Sequence, residues 1–368
     1  MTKIVIVSNT SWSLFNFRFE LAKAIKKSGY EVVLIAPYDE YSERLSEEFE
    51  YHDIYMNNKG TNPKEDLKTT IEFYKLYKDI KPDIVLHYTI KPNIYGTIAC
   101  SILGIKTINN IAGLGTLFIK QNFVTKIAKW LYKYSQNKAD KIFFQNSDDF
   151  EMFTGEGLVE KAKCDILPGS GVDTNKFLPV VNTNDRFVFL LVARMLWDKG
   201  IGEYIEASKI LKEKYKNVEF QMLGFLDVEN NSAVSKEQMQ EWVDAGYVNY
   251  LGVSDNVKEE IAKADCIVLP SFYREGTPRI LLESASMAKP IVTTDNVGCR
   301  DVVDDGVNGY LCEVRNAGDL ADKMEMMINL SEDDRLTMGI KGREKMINEF
   351  DESIVINKYL EAIAGVLK

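Results

Sequence analysis

The chain has 368 residues, 45% hydrophobic and 27% charged, a composition that suits a protein of two globular domains. Its formal net charge of −10 argues against nucleic acid as a partner, and five scattered cysteines with two histidines argue against a metal cluster built from these residues. The absence of a signal peptide and of a long apolar run predicts a cytoplasmic protein that does not span the membrane.

The N-terminal residues predict a β-α-β unit. Residues 3–9 form a near-continuous apolar run, as buried parallel strands do, and a second such run covers residues 31–37. Between them, apolar residues recur every four positions from Phe17 and predict a helix that ends at Gly29. This order is typical of a doubly wound sheet. The first turn contains no glycine, which argues against a dinucleotide-binding fingerprint.

The same alternation continues to residue 178. The predicted elements are a helix over 65–80, a strand over 83–89, a helix that starts within 91–96, a strand that runs into a glycine-rich loop over 106–118, and a strand over 141–147. His87 lies near the carboxyl end of its strand, where open α/β sheets bind ligands. A half-buried structural histidine is an equally good interpretation. The polar segment 176–185 is the predicted linker to a second domain.

Residues 120–141 combine six lysines with a single acidic residue, Asp140. On the predicted helix, the apolar and aromatic residues share one stripe, and lysines flank it. The stripe consists of Ile127, Trp130, Leu131 and Tyr134, and the flanking lysines are Lys126, Lys129 and Lys133. Such a helix can lie in the interface of an anionic membrane. The alternative is an ordinary amphipathic helix that packs its stripe on the sheet.

Residues 184–350 predict a second α/β domain. Its predicted strands cover 187–193, 217–224, 248–252, 266–271, 290–295 and 310–314, and its predicted helices cover 201–215, 255–264, 298–306, 318–330 and 332–348, with a last helix over 351–366. Arg194 follows the first of these strands, and Lys199 comes five residues later. A guanidinium and an ammonium group at the carboxyl end of a strand are suited to bind phosphate.

The sequence YREGTPRILLE at 273–283 predicts a loop that leads into a helix, with Thr277 as the N-cap and Pro278 in the first turn. The free N–H groups of such a helix end attract phosphate. Glu275 would lie at the mouth of this anion site, and Glu283 would lie in the helix, where it could accept hydrogen bonds from ribose hydroxyls. The alternative is a capped surface helix with two solvated glutamates.

The spacing of Glu275 and Glu283 resembles the E-x(7)-E motif of family 4 retaining glycosyltransferases. Further stretches resemble the same family: A-R-x-x-x-x-K-G at 193–200, G-V-D-x-x-x-F at 171–177, NFR at 16–18, KPN-x-x-G at 91–96, GLG at 113–115, VSDNV at 253–257 and GC at 298–299. Within the family, the chain is similar to transferases that build polyprenyl-diphosphate-linked glycans. It departs from many members at Asn109 and Asn110, where they place a histidine, so no histidine role is carried over.

The resemblance implies the GT-B fold, in which two Rossmann-like doubly wound domains face a central cleft. Residues 1–178 would bind the acceptor, residues 184–350 would bind the donor, and the last helix, 351–368, would pack back on the first domain. The implied reaction moves a sugar from a UDP-sugar to an undecaprenyl-diphosphate-linked sugar. The sugar that we expect to be moved is N-acetylgalactosamine. The enzyme would need no metal or other cofactor and would lie at the inner face of the cell membrane.

The resemblance also implies roles for individual residues. Glu275, Arg194 and Lys199 would be catalytic, and the donor would contact Arg194, Lys199, Thr277, Pro278, Arg279, Ile280, Glu283, Val253 and Ser254. The acceptor side would include Asn16, Arg18, His87, Lys91, Gly113 and Gly115, and the membrane contacts would be Lys126, Lys129, Trp130 and Lys133. Two other functions are compatible with the same sequence: an epimerase or hydrolase of nucleotide-sugars, and an inactive protein that binds them.

Overall fold

The structure is a computed structural model. It describes residues 1–57, 62–113, 123–180, 185–226, 228, 230 and 232–368, with only the backbone at 123 and 124. The chain forms two compact units. Unit 1 consists of Met1–Ser170 and Ser353–Lys368, and unit 2 consists of Gly171–Glu352.

The boundary between the units precedes the predicted linker because residues 171–177 are held by unit 2. The Val172 N–H donates to the Phe350 carbonyl at 2.9 Å, and the Glu352 N–H donates back to the Val172 carbonyl at 3.0 Å. The Phe177 side chain is buried in a core cluster of unit 2, and the Arg343 guanidinium donates to its carbonyl at 3.1 Å. The segment GVDTNKF therefore opens the second unit instead of closing the first.

Unit 1 is built on a seven-stranded parallel sheet in the order β3-β2-β1-β4-β5-β6-β7. Along β1, Ile4 and Ile6 pack in one core cluster and Val5 and Val7 pack in another, so both faces of the sheet are covered. The strands are β1 Lys3–Val7, β2 Glu31–Ala36, β3 Glu50–Asp53, β4 Ile84–Tyr88, β5 Lys106–Ile111, β6 Lys141–Phe144 and β7 Cys164–Ile166.

The helix predicted after β1 is two helices that meet at Arg18. The Arg18 backbone, with φ −130° and ψ −2°, leaves the helical region and separates α1 from α2. The helices of unit 1 are α1 Ser11–Phe17, α2 Phe19–Lys27, α3 Ser42–Ser46, α4 Pro63–Ile80, α5 Thr97–Leu103 after a π-helical turn at Pro92–Gly96, α6 Phe123–Gln136, α7 Ser147–Gly155 and α14 Glu352–Leu367.

The last helix completes unit 1. In α14, Val355, Tyr359 and Ile363 recur every four residues and are fully buried in the same cluster as the β1 isoleucines. The Tyr359 hydroxyl accepts a hydrogen bond from the Asn110 amide at 2.9 Å, at the carboxyl end of β5.

Unit 2 is built on a six-stranded parallel sheet in the order β10-β9-β8-β11-β12-β13. Its strands are β8 Phe187–Val192, β9 Val218–Leu223, β10 Asn249–Tyr250, β11 Cys266–Leu269, β12 Ile291–Thr294 and β13 Gly309–Cys312. Its helices are α8 Ile201–Lys214, α9 Lys236–Asp244, α10 Val257–Lys263, α11 Arg279–Ser286, α12 Ala317–Asn329 and α13 Glu332–Lys345, which runs into a π-helical turn at Met346–Phe350.

Two predictions for unit 2 are wrong. Residues 298–306 form turns instead of a helix, because Gly298 and Gly306 have φ of 78° and 74°, and the Asn308 side chain accepts from the Asp304 N–H at 2.7 Å. Helix α9 lies between the strands predicted over 217–224 and 248–252, where no helix was predicted. Among the described residues, no helix combines the length and the apolar character that crossing a bilayer requires.

Gly96 provides a test of packing in unit 1, because it lies in a helical conformation against the His87 ring. An alanine Cβ at this position would overlap that ring, so we expect Gly96→Ala to lower the free energy of unfolding by about 1–3 kcal/mol. Gly365→Ala in α14 is the matched control, since nothing lies within 4 Å of its Cβ. Chemical denaturation should show the control unchanged or more stable, by up to ~1 kcal/mol. Equal stability of both variants would contradict this packing.

Candidate active site

The candidate site of unit 2 is organised around Glu275, in the loop between β11 and α11. Its carboxylate forms an ion pair with the Lys199 ammonium group, and the two side chains expose only 11% and 13% of their surface. The Ser271 hydroxyl donates to the same carboxylate at 3.0 Å. Because a largely buried carboxylate is costly without partners, these two contacts satisfy Glu275 and hold it in one position.

The loop after β8 holds the Glu275 loop from one side. The Phe272 and Tyr273 N–H groups both donate to the Asp198 carbonyl, at 3.0 and 2.9 Å. Asp198 directly precedes Lys199 in a 3₁₀ turn over Trp197–Lys199. The same turn therefore positions the backbone of the Glu275 loop and the cation that pairs with its carboxylate.

The loop after β12 holds the Glu275 loop from the other side. The Asn296 amide donates to the Ser271 and Tyr273 carbonyls at 3.2 and 3.0 Å. Gly298 packs directly on the Gly276 carbonyl, so a Cβ at Gly298 would overlap that carbonyl. Gly298 also has a φ of 78°, a backbone conformation that favours glycine. The glycine of the GC pair therefore has a structural role that the sequence motif alone did not reveal.

Helix α11 begins at Arg279, and its N-cap is Pro278 instead of the predicted Thr277. No side chain caps this helix, and Thr277 is buried. Ile280 packs against the core of unit 2, which anchors the first turn. A helix end without a side-chain cap keeps its first N–H groups for another acceptor, as an anion site requires.

Glu283 lies one turn into α11 and pairs with Arg279. The Arg279 Nε donates to the Glu283 Oε1 at 2.7 Å, and the two side chains expose 22% and 14% of their surface. Burial raises the pKa of Glu283, while the charges of Arg279 and Lys176 oppose the rise. Arg279 therefore favours the carboxylate form, which accepts hydrogen bonds, over the neutral acid.

Arg194 follows β8 and supplies an exposed positive charge. Its side chain makes no hydrogen bond or ion pair with any residue in the described part of the chain. Burial and the negative charge of Glu275 raise the pKa of Tyr273, and Arg194 opposes this, so both charges lie close to that ring. The structure thus brings Arg194, Lys199, Glu275 and α11 together at the carboxyl edge of the sheet.

Val253 and Ser254 follow β10, at the edge of the sheet and three strand positions from β11. Val253 is 52% exposed, and the Ser254 hydroxyl accepts from the Asn256 N–H at 3.1 Å. They lie on the same edge as the Glu275 loop, and neither side chain makes a hydrogen bond or ion pair with that loop among the described residues.

His87 is a core residue, and the prediction that it contacts an acceptor is wrong. It is fully buried in β4, with Nε2 2.9 Å from the Tyr77 hydroxyl and Nδ1 2.9 Å from the Asn109 Oδ1. Burial lowers its pKa to about 4, so the ring is neutral at physiological pH. The half-buried alternative also underestimates how completely it is enclosed.

The other residues predicted on the acceptor side differ in whether their side chains already have partners within the chain. Lys91 is neutralised by Asp66 at 2.7 Å, and the Asn16 amide donates to the Trp12 carbonyl at 2.9 Å. Gly113 adopts φ of 96°, whereas Gly115 lies outside the described residues. Arg18 is buried.

Helix α6 turns three of the four stripe residues outwards, whereas Leu131 is half-buried against a core cluster, so the alternative in which the stripe packs on the sheet holds only for Leu131. Trp130, Tyr134 and Ile127 are 63%, 46% and 45% exposed, and the Trp130 and Tyr134 rings stack with centroids 5.7 Å apart. The buried face consists of Thr125, Ala128, Tyr132, Ser135 and Gln136. Lys126 and Lys133 are exposed, whereas Lys129 pairs with Glu156 at 2.6 Å.

The described residues contain no group of three or more His, Cys, Asp and Glu side chains that could hold a metal ion. Ser271 and Asn296, which position Glu275 and its loop, escaped sequence analysis. Ser271 is the last residue of one predicted strand and Asn296 directly follows another, and that position at the carboxyl edge of a parallel sheet was the available signal.

Two family models match the chain, one on each unit. Residues 173–345 match the model "Glycosyl transferases group 1", and residues 3–146 match "Glycosyl transferase 4-like". The chain belongs to the glycosyltransferases. The sequence analysis predicted that this glycosyltransferase belongs to family 4 and has a GT-B fold with two Rossmann-like α/β domains. Both predictions are confirmed.

Relatives of this glycosyltransferase match over most or all of its length. It is 29% identical to the N,N'-diacetylbacillosaminyl-diphospho-undecaprenol alpha-1,3-N-acetylgalactosaminyltransferase of Campylobacter jejuni, covering 100% of this chain and 99% of that protein. It is 26% identical to the UDP-Gal:alpha-D-GlcNAc-diphosphoundecaprenol alpha-1,3-galactosyltransferase of Escherichia coli, over 78% and 76% of the two chains. A glycosyltransferase structure from Rickettsia africae shares the fold, with a TM-score of 0.83, 20% identity and coverage of 100% and 99%.

The buried His87 predicts a loss of stability in mild acid. The unfolded chain binds a proton at this residue near pH ~6.5, whereas the folded chain binds it only near pH 4, so protonation favours unfolding between these values. We expect this group to lower the free energy of unfolding by about 3 kcal/mol as pH falls across that interval.

The measurement is urea denaturation of the wild type and of His87→Gln, which does not titrate, at several pH values. Because all other groups titrate in both proteins, the difference between their pH profiles isolates the histidine. Parallel profiles would show that His87 is not held neutral by the fold.

Proposed function

We propose that this protein is a retaining glycosyltransferase that moves N-acetylgalactosamine from a UDP-sugar to an undecaprenyl-diphosphate-linked sugar in bacterial glycan assembly. The observation that carries the proposal is the similarity to the Campylobacter jejuni N-acetylgalactosaminyltransferase along the whole of both chains. The charged groups that such a reaction needs are grouped at one edge of unit 2. The name of the Escherichia coli relative, with its UDP-linked donor, supports UDP as the leaving group.

On this proposal, unit 2 binds the donor. Arg194, Lys199 and the backbone amides at 277–280 hold the diphosphate, and the Glu283 carboxylate accepts hydrogen bonds from the ribose hydroxyls. Glu275 contacts the transferred sugar, and Val253 and Ser254 border the nucleobase. Because Lys199 pairs with Glu275 in the structure, an arriving diphosphate competes for the ammonium group and frees carboxylate oxygens for sugar hydroxyls.

The proposed chemistry keeps both substrates on one face of the sugar. The bond between the anomeric carbon and the phosphate oxygen breaks, the acceptor oxygen bonds to the same carbon, and its proton passes to the departing phosphate oxygen. Negative charge builds up on the leaving diphosphate, next to Arg194 and Lys199. Two cations and a helix end can supply this stabilisation without a metal, which is why we propose a reaction independent of metal and of any other cofactor.

The acceptor belongs, on this proposal, to unit 1 and to the membrane surface. The exposed Trp130, Tyr134 and Ile127 of α6 form an apolar stripe, and Lys126 and Lys133 provide exposed positive charge beside it. Aromatic side chains suit the headgroup region, and lysines suit anionic lipids. The enzyme would therefore lie on the inner face of the cell membrane, where an undecaprenyl-linked acceptor is embedded.

A mass-spectrometric transfer assay tests the function. Purified protein receives UDP-GalNAc, UDP-GlcNAc, UDP-Gal or GDP-mannose with a polyprenyl-diphosphate-linked amino sugar, with and without a metal chelator. We expect a lipid product heavier by one N-acetylhexosamine with UDP-GalNAc, equally with chelator. Arg194→Ala should reduce turnover by about 10²–10³-fold, as expected for the loss of one donor to a developing anion. Arg186→Ala, which removes a cation on the amino side of β8, is the matched control.

The outcomes separate the parts of the proposal. UDP release without lipid product would support a hydrolase, and no product with any donor would refute the transferase. Product formed with another donor would keep the reaction and change the sugar. Near-normal turnover of Arg194→Ala would remove that residue from the site.

Co-sedimentation with vesicles tests the membrane contact. Wild-type protein should bind vesicles that contain phosphatidylglycerol, and high salt should weaken this binding without abolishing it. A Lys126→Gln and Lys133→Gln double variant should bind about 30-fold more weakly, since each lysine near an anionic surface contributes about 1 kcal/mol. Trp130→Ala should weaken binding at every salt concentration. Trp12→Ala, an exposed tryptophan of unit 1 outside α6, is the control. Unaltered binding of the α6 variants would place the membrane contact elsewhere.

A further inference from the structure

Arg18 is a buried charge without a counter-charge. The residue is only 6% exposed, and its guanidinium group lies 4.1 Å from the centre of the Tyr88 ring. Apart from this ring contact, its side chain makes no hydrogen bond and no ion pair with any residue in the described ranges. An arginine cannot escape the cost of burial by losing its proton, because its pKa is too high.

The other buried charged side chains among the described residues all have polar partners. Asp66 accepts from Lys91 and Tyr95, Asp149 accepts from Asn146, Glu275 accepts from Lys199 and Ser271, and Lys289 donates to the Ala262 carbonyl. The fold therefore pairs its buried charges as a rule, and Arg18 is the exception.

No carboxylate of unit 1 serves as the counter-charge of Arg18. The residues of this unit outside the described ranges, 58–61 and 114–122, read NKGT and LGTLFIKQN and contain neither Asp nor Glu. The described carboxylates of the unit make no ion pair with Arg18. The missing negative charge must then come from outside the unit.

The position of Arg18 is that of a ligand site. The chain runs from β1 outwards to β2 and β3 and then returns to β4 on the other side of β1, so the strand order reverses between β1 and β4. Open α/β sheets bind ligands at this switch point, at the carboxyl ends of the strands. Arg18 comes from the helices that follow β1, and Tyr88 is the last residue of β4.

Two local features prepare this point for a polar ligand. The break between α1 and α2 falls on Arg18, and the Arg18 guanidinium lies over the Tyr88 ring. Burial raises the pKa of Tyr88 and the neighbouring Tyr359 adds to the rise, but the Tyr88 hydroxyl forms no hydrogen bond of normal geometry in the described structure, which is costly unless something fills the position. A cation and a buried hydroxyl without a well-formed hydrogen bond thus occur in contacting side chains.

We propose that Arg18 and Tyr88 form a phosphate subsite of unit 1, which binds the diphosphate of the prenyl-diphosphate-linked acceptor. The guanidinium fork matches a phosphate group with two parallel hydrogen bonds, and the tyrosine hydroxyl adds a third donor. The identity of the anion rests on the proposed function, in which the donor diphosphate is bound by unit 2. The acceptor then contributes the only other strongly anionic group of the reaction.

Isothermal titration calorimetry with a sugar-free probe tests the subsite separately from transfer. Farnesyl diphosphate, farnesyl monophosphate and farnesol are titrated into the full-length protein with saturating UDP, which fills the donor subsite. We expect the wild type to prefer the diphosphate over farnesol. Arg18→Gln should bind the diphosphate about tenfold or more weakly and farnesol unchanged, because it loses charge-assisted hydrogen bonds. Tyr88→Phe, which keeps the ring, should show a smaller loss in the same direction.

Two controls separate binding from structure. Arg44→Gln removes an exposed arginine of unit 1 that also stacks on aromatic rings, and its binding should equal that of the wild type. The melting temperature of Arg18→Gln should stay unchanged or rise, since an unpaired buried charge is removed.

The proposal is overturned if Arg18→Gln melts at a lower temperature and keeps the preference for diphosphate, since Arg18 would then be structural. It is also overturned if the variant loses affinity for UDP, because Arg18 would then serve the donor. The melting temperature and the binding affinities are both measured without sugar transfer. A wild type that binds farnesyl diphosphate through Arg18 but transfers no sugar would support the subsite and refute the proposed function.

Discussion

Parallel pairing of the strands places every segment that follows a strand at one edge of its sheet, and both proposed ligand sites of this protein depend on that constraint. In unit 2, the segments after β8, β11 and β12 meet there, and they bring Lys199, Glu275 and Asn296 together from distant parts of the sequence. In unit 1, the same rule brings the helices after β1 to the end of β4. The sheets thus bring the functional side chains together, while those side chains belong mainly to the segments that follow the strands.

The two sheet edges differ in whether their buried charged side chains have partners of opposite charge. In unit 2, Lys199 with Glu275 and Arg279 with Glu283 form ion pairs, so these charges already have partners within the unit. Arg194 is an exposed cation five residues before Lys199. In unit 1, Arg18 is buried without any such partner. A ligand exchanges partners in the first case and supplies a missing one in the second.

Sequence patterns predicted the elements that local rules determine. The apolar runs located the central strands of both sheets, and the E-x(7)-E spacing located the Glu275 loop and the helix with Glu283. The errors arose where tertiary contacts outweigh local preference. His87 was expected near a ligand because of its place in the strand, but its ring is enclosed by Tyr77, Asn109 and the close approach of Gly96. Likewise, an apolar stripe on α6 predicts a buried face, but the face that is buried centres on Tyr132 and Ala128 with polar neighbours instead. The pairing of Lys199 with Glu275 joins residues 76 positions apart and has no local signature.

The return of α14 to unit 1 has a consequence for how the protein is made. Unit 2 is continuous in sequence, whereas unit 1 lacks Tyr359 and its buried neighbours until the end of the chain has left the ribosome. The apolar surface that α14 covers is therefore open to water throughout the synthesis of unit 2, and the Asn110 amide is without its tyrosine partner. The first unit to begin folding is therefore the last to be completed, and transiently exposed apolar surface of this kind favours aggregation.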